Sequence, residues 1–350
     1  MKYLKRLSVL SVWATVALMT VMLQMSCSKS EEKHFVFHSS EEAVATCHQT
    51  LAEFRDIKDA DIEKLTDVIA TWMELQDSVY NYMANDSTIQ MNSHLMTDYY
   101  TVADSIRVEI HRLAQARSRS LRDVTYLMIN TSHDRKNTRE SQNYKTACKL
   151  FVEMDKDVPF PDANSTVFAY NTLLDSTASF SKEGEVLDFM KAEDKCFRSL
   201  MNHLTEVNQN ILASITTKTA HLFDDLYKRV SVDGEDPVSE RVMLYLTMRF
   251  NRRILQNAEA CRRDIKAKKV LDAQQTDNYR WMLIQPFISI DNYSMAALTE
   301  EQEKQLLELA DELPSLIAYL DDTPNKPDDL KKMTDILSDF FLSSYLKSTL

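Results

Sequence analysis

Glycine is nearly missing from this chain: its 350 residues contain two, Gly184 and Gly234. Phosphate-cradling loops, dinucleotide fingerprints and strained nucleophile turns all place glycine where the backbone turns sharply or approaches a ligand closely. Two isolated glycines build none of these. Tight primed hairpin turns lose their preferred residue as well, which argues against a β-rich fold. Cysteine is sparse at five residues, with neither Cys-x-x-Cys spacing nor a Cys/His set of the kind that holds zinc. His-Glu-x-x-His is absent, and the nearest metal-like pairs are His94/Asp98, His203/Glu206 and His221/Asp225. Each supplies two ligands where three or more are needed, so no metal and no cofactor is expected.

What remains is rich in Leu, Ala, Glu, Lys, Asp, Met and Thr, a helix-forming alphabet with few breakers. The formal net charge is −12, which makes nucleic acid a poor partner. The charge is uneven. Residues 107–145 hold nine Lys/Arg against four acids and 249–269 hold eight against two, whereas 299–339 hold twelve acids against four Lys. The plain expectation is helix faces of opposite charge packed against one another. The sharper one is an anion-binding basic face built from Arg107, Arg112, Arg117, Arg119, Arg122, Arg249, Arg252, Arg253, Arg262 and Arg263.

One long apolar run exists, Leu7 to Leu23, preceded by Lys2, Lys5 and Arg6 and followed by Gln24-Met25-Ser26-Cys27. Charge, apolar stretch, then small and polar residues is the order of a secretory signal peptide. It resembles a bacterial lipoprotein signal of Bacteroidota type, with Gln24 standing where an aliphatic residue is usual and Leu23 one position further back. The following Ser28-Lys29-Ser30-Glu31-Glu32-Lys33 resembles the tag that sends such lipoproteins to the cell surface. The resemblance covers residues 1–33 and implies cleavage after residue 26 and lipid on Cys27. It also implies secretion across the inner membrane and anchoring to the outer membrane, facing outward. Without the three cations of residues 1–26, the remaining chain carries −15.

Helical spacing of apolar residues then recurs to the C-terminus. Ser39 with Glu42 reads as a capping box ahead of Val44, Cys47, Leu51 and Phe54. Ile62, Leu65, Ile69, Trp72, Val79 and Met83 form a second seam, and Leu95 to Leu113 a third. A fourth helix starts near Ser120, and Thr131–Thr138 is a polar interruption before Tyr144, Ala147, Phe151 and Met154. Asp157-Val158-Pro159-Phe160-Pro161-Asp162 reads as a linker, because two prolines remove donors and force extended geometry. The organisation expected is a signal peptide (1–26), a lipidated tether (27–38), a helical sub-domain (39–156), the linker (157–164) and a second helical sub-domain (165–350).

The longest periodic run, Ser181 to Val230, predicts one helix of about 75 Å, at 1.5 Å per residue. With a turn at Asp233–Pro237 and a return helix to about Ala273, it predicts a long antiparallel hairpin. A segment from Thr276 should end at Pro286, and further helices should start at Thr299 and Pro327. The fold class is therefore all-α, an elongated multi-helix bundle with a long hairpin. Residues 61–73 and 329–341 share four identities in thirteen positions, but amphipathic helices draw on a restricted alphabet and the flanking segments do not align, so a coincidental likeness is expected over a duplication.

Cys47, Cys148, Cys196 and Cys261 sit far apart beside apolar neighbours on helical stretches and read as buried free thiols, the alternative being two disulfides in any of three connectivities, which an oxidising compartment permits. Asp86-Ser87-Thr88 and Asp175-Ser176-Thr177 resemble the short acceptor pattern for O-glycosylation on exported Bacteroidota proteins, with Ser87 and Ser176 as acceptors. The function expected is a non-enzymatic envelope lipoprotein that binds or scaffolds a protein or glycan partner. The alternative is an envelope hydrolase or nutrient-capture accessory with a cleft between two helical halves.

Overall fold

The computed structural model describes residues 35–85, 93–116, 120–132, 135–176, 183–203, 206–232, 237–290, 292–321 and 327–349. Among them are fourteen helices and no strand, so the chain is an all-α multi-helix bundle. It divides into two compact units.

One unit takes Lys29–Arg135, Cys261–Ala296 and Glu300–Leu350. Its helices are α1 (Ser40–Asp56), α2 (Ile62–Asn85), α3 (Ser93–Gln115), α4 (Leu121–Asn130), α11 (Ala273–Ser289), α12 (Asn292–Ala296), α13 (Glu300–Leu320) and α14 (Pro327–Thr349). Helix α4 is the hub, packing against α2, α12, α13 and α14. Ser120 starts it with a full capping box, its hydroxyl accepting from the Asp123 amide while the Asp123 carboxylate accepts from the Ser120 amide. Six of its ten residues are buried, Leu121, Val124, Thr125, Leu127, Met128 and Ile129. Each large apolar side chain so enclosed contributes about 1.5–3 kcal/mol. Polar ties hold the surrounding helices in register: Arg122 to Asp311 at 2.6 Å, Arg135 in a fork on Glu303, and Thr131 to Tyr345. The capping box expected at Ser39 forms in shifted form. The Ser39 hydroxyl accepts from the Glu42 amide, but the Glu42 carboxylate takes the His38 amide, one residue outside the cap.

The other unit takes Lys136–Ala260 and Ala297–Thr299. It holds most of α5 (Arg135–Glu140), then α6 (Gln142–Met154), α7 (Ala163–Ser176), α8 (Glu183–Asn202) and α9 (Gln209–Val232), and α10 (Pro237–Lys266) through Ala260. Its main core joins Phe151 and Met154 of α6, Phe189 and Met190 of α8, Phe223 and Leu226 of α9, and Val242 to Leu246 of α10. Five consecutive buried residues leave that part of α10 no solvent face. Tyr170, Cys196, Leu200 and Ile215 form a second cluster. Residues 297–299 belong here because the Leu298 carbonyl accepts from the Tyr144 hydroxyl and the Arg139 guanidinium.

Several expectations are corrected. The Asp157–Pro161 segment is irregular, but α6 and α7 on either side of it share one unit, so it is no domain boundary. The sub-domains 39–156 and 165–350 give way to discontinuous units. The single helix over Ser181–Val230 is interrupted after Asn202. His203 and Glu206 close tight turns on Leu200 and His203, and Asn208 opens α9 by accepting from the Asn210 amide at 2.9 Å. Asparagine side chains compete with the helix ladder and favour such starts, so the polar run Asn208-Gln209-Asn210 resets the helix. The first arm expected of the long hairpin is therefore broken, and the hairpin's expected turn at 233–236 lies outside the described residues. Its return helix ends at Lys266, and Asp272 with Gln275 caps a new one. Pro286 does not end that helix, which runs on to Ser289: burial of Pro286 and Phe287 offsets the one missing backbone donor. The likeness between 61–73 and 329–341 does not extend to burial. Val68 and Trp72 are enclosed, whereas their counterparts Ile336 and Phe340 are exposed.

Candidate functional site

The candidate site lies in the second unit, on helices α7 and α8. Asp162 caps α7, its carboxylate accepting from the Ser165 amide and hydroxyl, each at 2.8 Å. Those hydrogen bonds hold the Asp162 carboxyl below the usual carboxylate range. The preceding Phe160 is fixed by its amide donating to Ser199 Oγ at 2.8 Å. Helix α8 pairs with α7. Along this pair runs an open groove of about 810 Å³, lined by Phe160, Phe168, Leu173, Ala192, Lys195 and Cys196 among others. Phe168 is 75% exposed, an unusual position for a phenylalanine. The Lys195 ammonium stands 4.8 Å from the Phe160 ring centroid. Among the described residues no carboxylate forms an ion pair with it.

The groove rests on a buried ionic network. Glu193 is fully enclosed and accepts from Arg253 at 2.7 Å, from Arg249 at 2.9 Å, and from the Tyr170 hydroxyl. Next to it, Asp194 takes Arg198 at 2.9 Å and Arg252 at 3.1 Å, and Arg252 also reaches Asp155. Four guanidinium groups thus meet three carboxylates. Aromatic faces take up part of the excess: Arg249 lies 3.3 Å from the Phe223 centroid and Arg253 lies 3.2 Å from that of Phe197. Burial pushes the Glu193 carboxyl up, but the two guanidinium groups and the Tyr170 hydroxyl outweigh it and hold it at about 2. Burial pulls Arg253 down, against the pull of Glu193. Arg198 also donates to the Met154 and Asp157 carbonyls, which fastens the irregular segment to α8.

This network absorbs three of the arginines expected to form a basic face, Arg249, Arg252 and Arg253. In the other unit Arg107 pairs with Asp104. Arg112 pairs with Glu109 and donates to the Ile57 carbonyl, and Arg122 pairs with Asp311. Arg262 forks onto Glu312 at 2.7 and 2.8 Å, and burial is too slight to offset it, so Arg262 and Lys266 hold that carboxyl at about 2. Arg263 is exposed, 3.9 Å from Asp264. Arg117 and Arg119 lie outside the described residues. Each of these eight arginines thus stands beside a carboxylate of its own chain.

The four thiols are free: Cys47, Cys196 and Cys261 are buried and Cys148 half-buried. Burial pushes each of the first three up to about 12. Cys27 and Ser87 lie outside the described residues, and Ser176 is the last residue of α7 rather than a loop position. Asp98 pairs with His48 of α1 at 3.0 Å rather than with His94. Among the described residues no group of three His, Cys, Asp or Glu side chains is arranged to hold a metal ion. Among the larger aromatic side chains, Trp72 and Tyr99 are core, while Tyr100 and Trp281 are 58% and 45% exposed.

Sequence reasoning missed both the groove and Glu193. A signal for the latter existed: adjacent acids at 193–194 and three arginines at 249, 252 and 253, all on one helix face by spacing. Comparison of the chain with family models, curated proteins and solved structures finds no match.

Proposed function

We propose that this chain is a lipid-anchored envelope protein that binds a protein partner without catalysing a reaction. The observation that carries the anchor is the order Lys2/Lys5/Arg6, apolar 7–23, Cys27, followed by the acidic and lysine tag. Several acyl chains on Cys27 would contribute about 0.8 kcal/mol per buried methylene and hold the protein stably at a membrane. The groove on α7 and α8 supports the binding role. Its lining is dominated by Phe160, Phe168, Leu173 and Ala192, and its cation Lys195 has no ion-pair partner among the described residues. That chemistry suits apolar side chains flanked by a carboxylate, as a protein segment presents them, better than the hydroxyl-rich surface of a glycan.

Two measurements test this. Metabolic labelling with an alkyne palmitate should mark the chain, and Cys27→Ala should abolish the mark. Label that persists in the variant refutes the anchor. Pull-down from native membranes should recover a stoichiometric partner that Phe168→Ser and Lys195→Glu both lose. Equal recovery by all three forms removes the groove from the binding role.

A further inference from the structure

Helix α14 carries two apolar faces. One, with Phe341, Leu342, Tyr345 and Leu346, is buried in its unit. The other consists of Leu330, Met333, Ile336, Leu337 and Phe340, with Ile336 69% and Phe340 55% exposed and the remaining three half-buried. Their spacing is that of a coiled-coil seam, and the stripe is about 15 Å long at 1.5 Å per residue. The similar sequence in α2 shows what such a stripe does when covered: Val68 and Trp72 are 2% and 0% exposed. On α14 it faces outward.

The flanking charges point to the occupant. With Met333 and Phe340 at equivalent seam positions, Lys332 and Asp339 fall one heptad apart along the same edge. Both are exposed, and among the described residues neither has an ion pair. The midpoint between them falls at Asp335/Ile336, within one residue of the centre of the stripe. A second copy of α14 laid antiparallel therefore sets Lys332 of each copy near Asp339 of the other, twice over. A parallel copy would offer Lys332 only Leu337 and Asp339 only Ser344. The edge charges are also balanced in sign, unlike the Lys/Arg-rich border of a helix that lies on an anionic membrane.

We infer that the chain pairs with a second copy of itself through this stripe, in an isologous antiparallel contact of the two α14 helices about a two-fold axis near Ile336. The inference is independent of the lipid anchor and of the groove.

The test is sedimentation equilibrium of the full chain in density-matched detergent with micelles in excess. The unchanged chain should sediment as a dimer. Lys332→Asp and Asp339→Lys should each weaken it about tenfold, and the double variant should restore it, because the swapped charges again face opposite partners. Phe340→Asp should leave a monomer. All three positions are exposed, and far-UV circular dichroism should confirm that each of the four variants keeps its helix content. A chain that is monomeric at its highest soluble concentration overturns the inference. So does a dimer indifferent to Phe340→Asp, or single and double charge variants of equal strength.

Discussion

Replacing Glu193 by glutamine keeps the side chain's shape and its reach to Tyr170 but removes the charge that faces Arg249 and Arg253. Both guanidinium groups lie nearly enclosed, with side chains 13% and 12% exposed. Removing one partner from a buried ion pair costs about 3–5 kcal/mol, because the remaining charge cannot recover its hydration. A second route gives a similar figure. The Glu193 carboxyl is held at about 2 against an ordinary 4.5. At about 1.4 kcal/mol per unit, that linkage contributes on the order of 3 kcal/mol. Because the folded value is the lower one, this stability is present above about pH 4.5 and is lost as pH falls toward 2. Urea unfolding followed by circular dichroism should therefore show Glu193→Gln less stable by about 3 kcal/mol at neutral pH, with the gap narrowing in acid. A triple variant, Glu193→Leu with Arg249→Met and Arg253→Met, should recover most of the loss, since an apolar set of similar volume needs no hydration restored. A deficit below about 1 kcal/mol at neutral pH, or a triple variant no better than the single, refutes the account of a charge trapped in the core.

Two further outcomes follow from the same structure. An aromatic disulfide reagent at mildly alkaline pH should reach Cys148 in the native chain but Cys47, Cys196 and Cys261 only on unfolding, since burial shields them and raises them to about 12. Rapid native labelling of any of these three would show that its surroundings open. Lys268 follows the end of α10 with φ 53°, an exposed side chain in the left-handed conformation that glycine adopts freely. Lys268→Gly should raise stability by about 1 kcal/mol in thermal or urea unfolding, and a lowered midpoint would refute that strain.

Much of the fold was readable before any coordinates. Ser39, Ser120 and Pro327 start helices at or one residue from where their chemistry indicated, because capping is a local contest between a side chain and nearby amides. The seams of α2 and α3 are buried as spaced, with Leu65, Ile69 and Trp72 on one helix and Val102, Ile106 and Ile110 on the next. Breaks were less legible. The run through Val207 and Ile211 keeps its apolar period across a gap that begins after Asn202 and that Asn208 closes, because period reports which face is apolar and not whether the ladder continues. Pro286 misled in the opposite direction, since what offsets a lost donor is packing around Phe287.

The candidate site was the least legible part. Arginine-rich stretches advertise a basic face, and only the approach of α8 to α10 reveals that Glu193 and Asp194 neutralise Arg249, Arg252 and Arg253 in place. A groove such as that beside Phe168 exists only once two helices are set side by side. Composition and period determined that this chain is helical, poor in turn-forming glycine and led by a charged and apolar N-terminus, because those properties act within a few residues. Which charges meet, which apolar stripe stays outside and where one unit ends depend on contacts between residues far apart in sequence, and tertiary packing alone decided them.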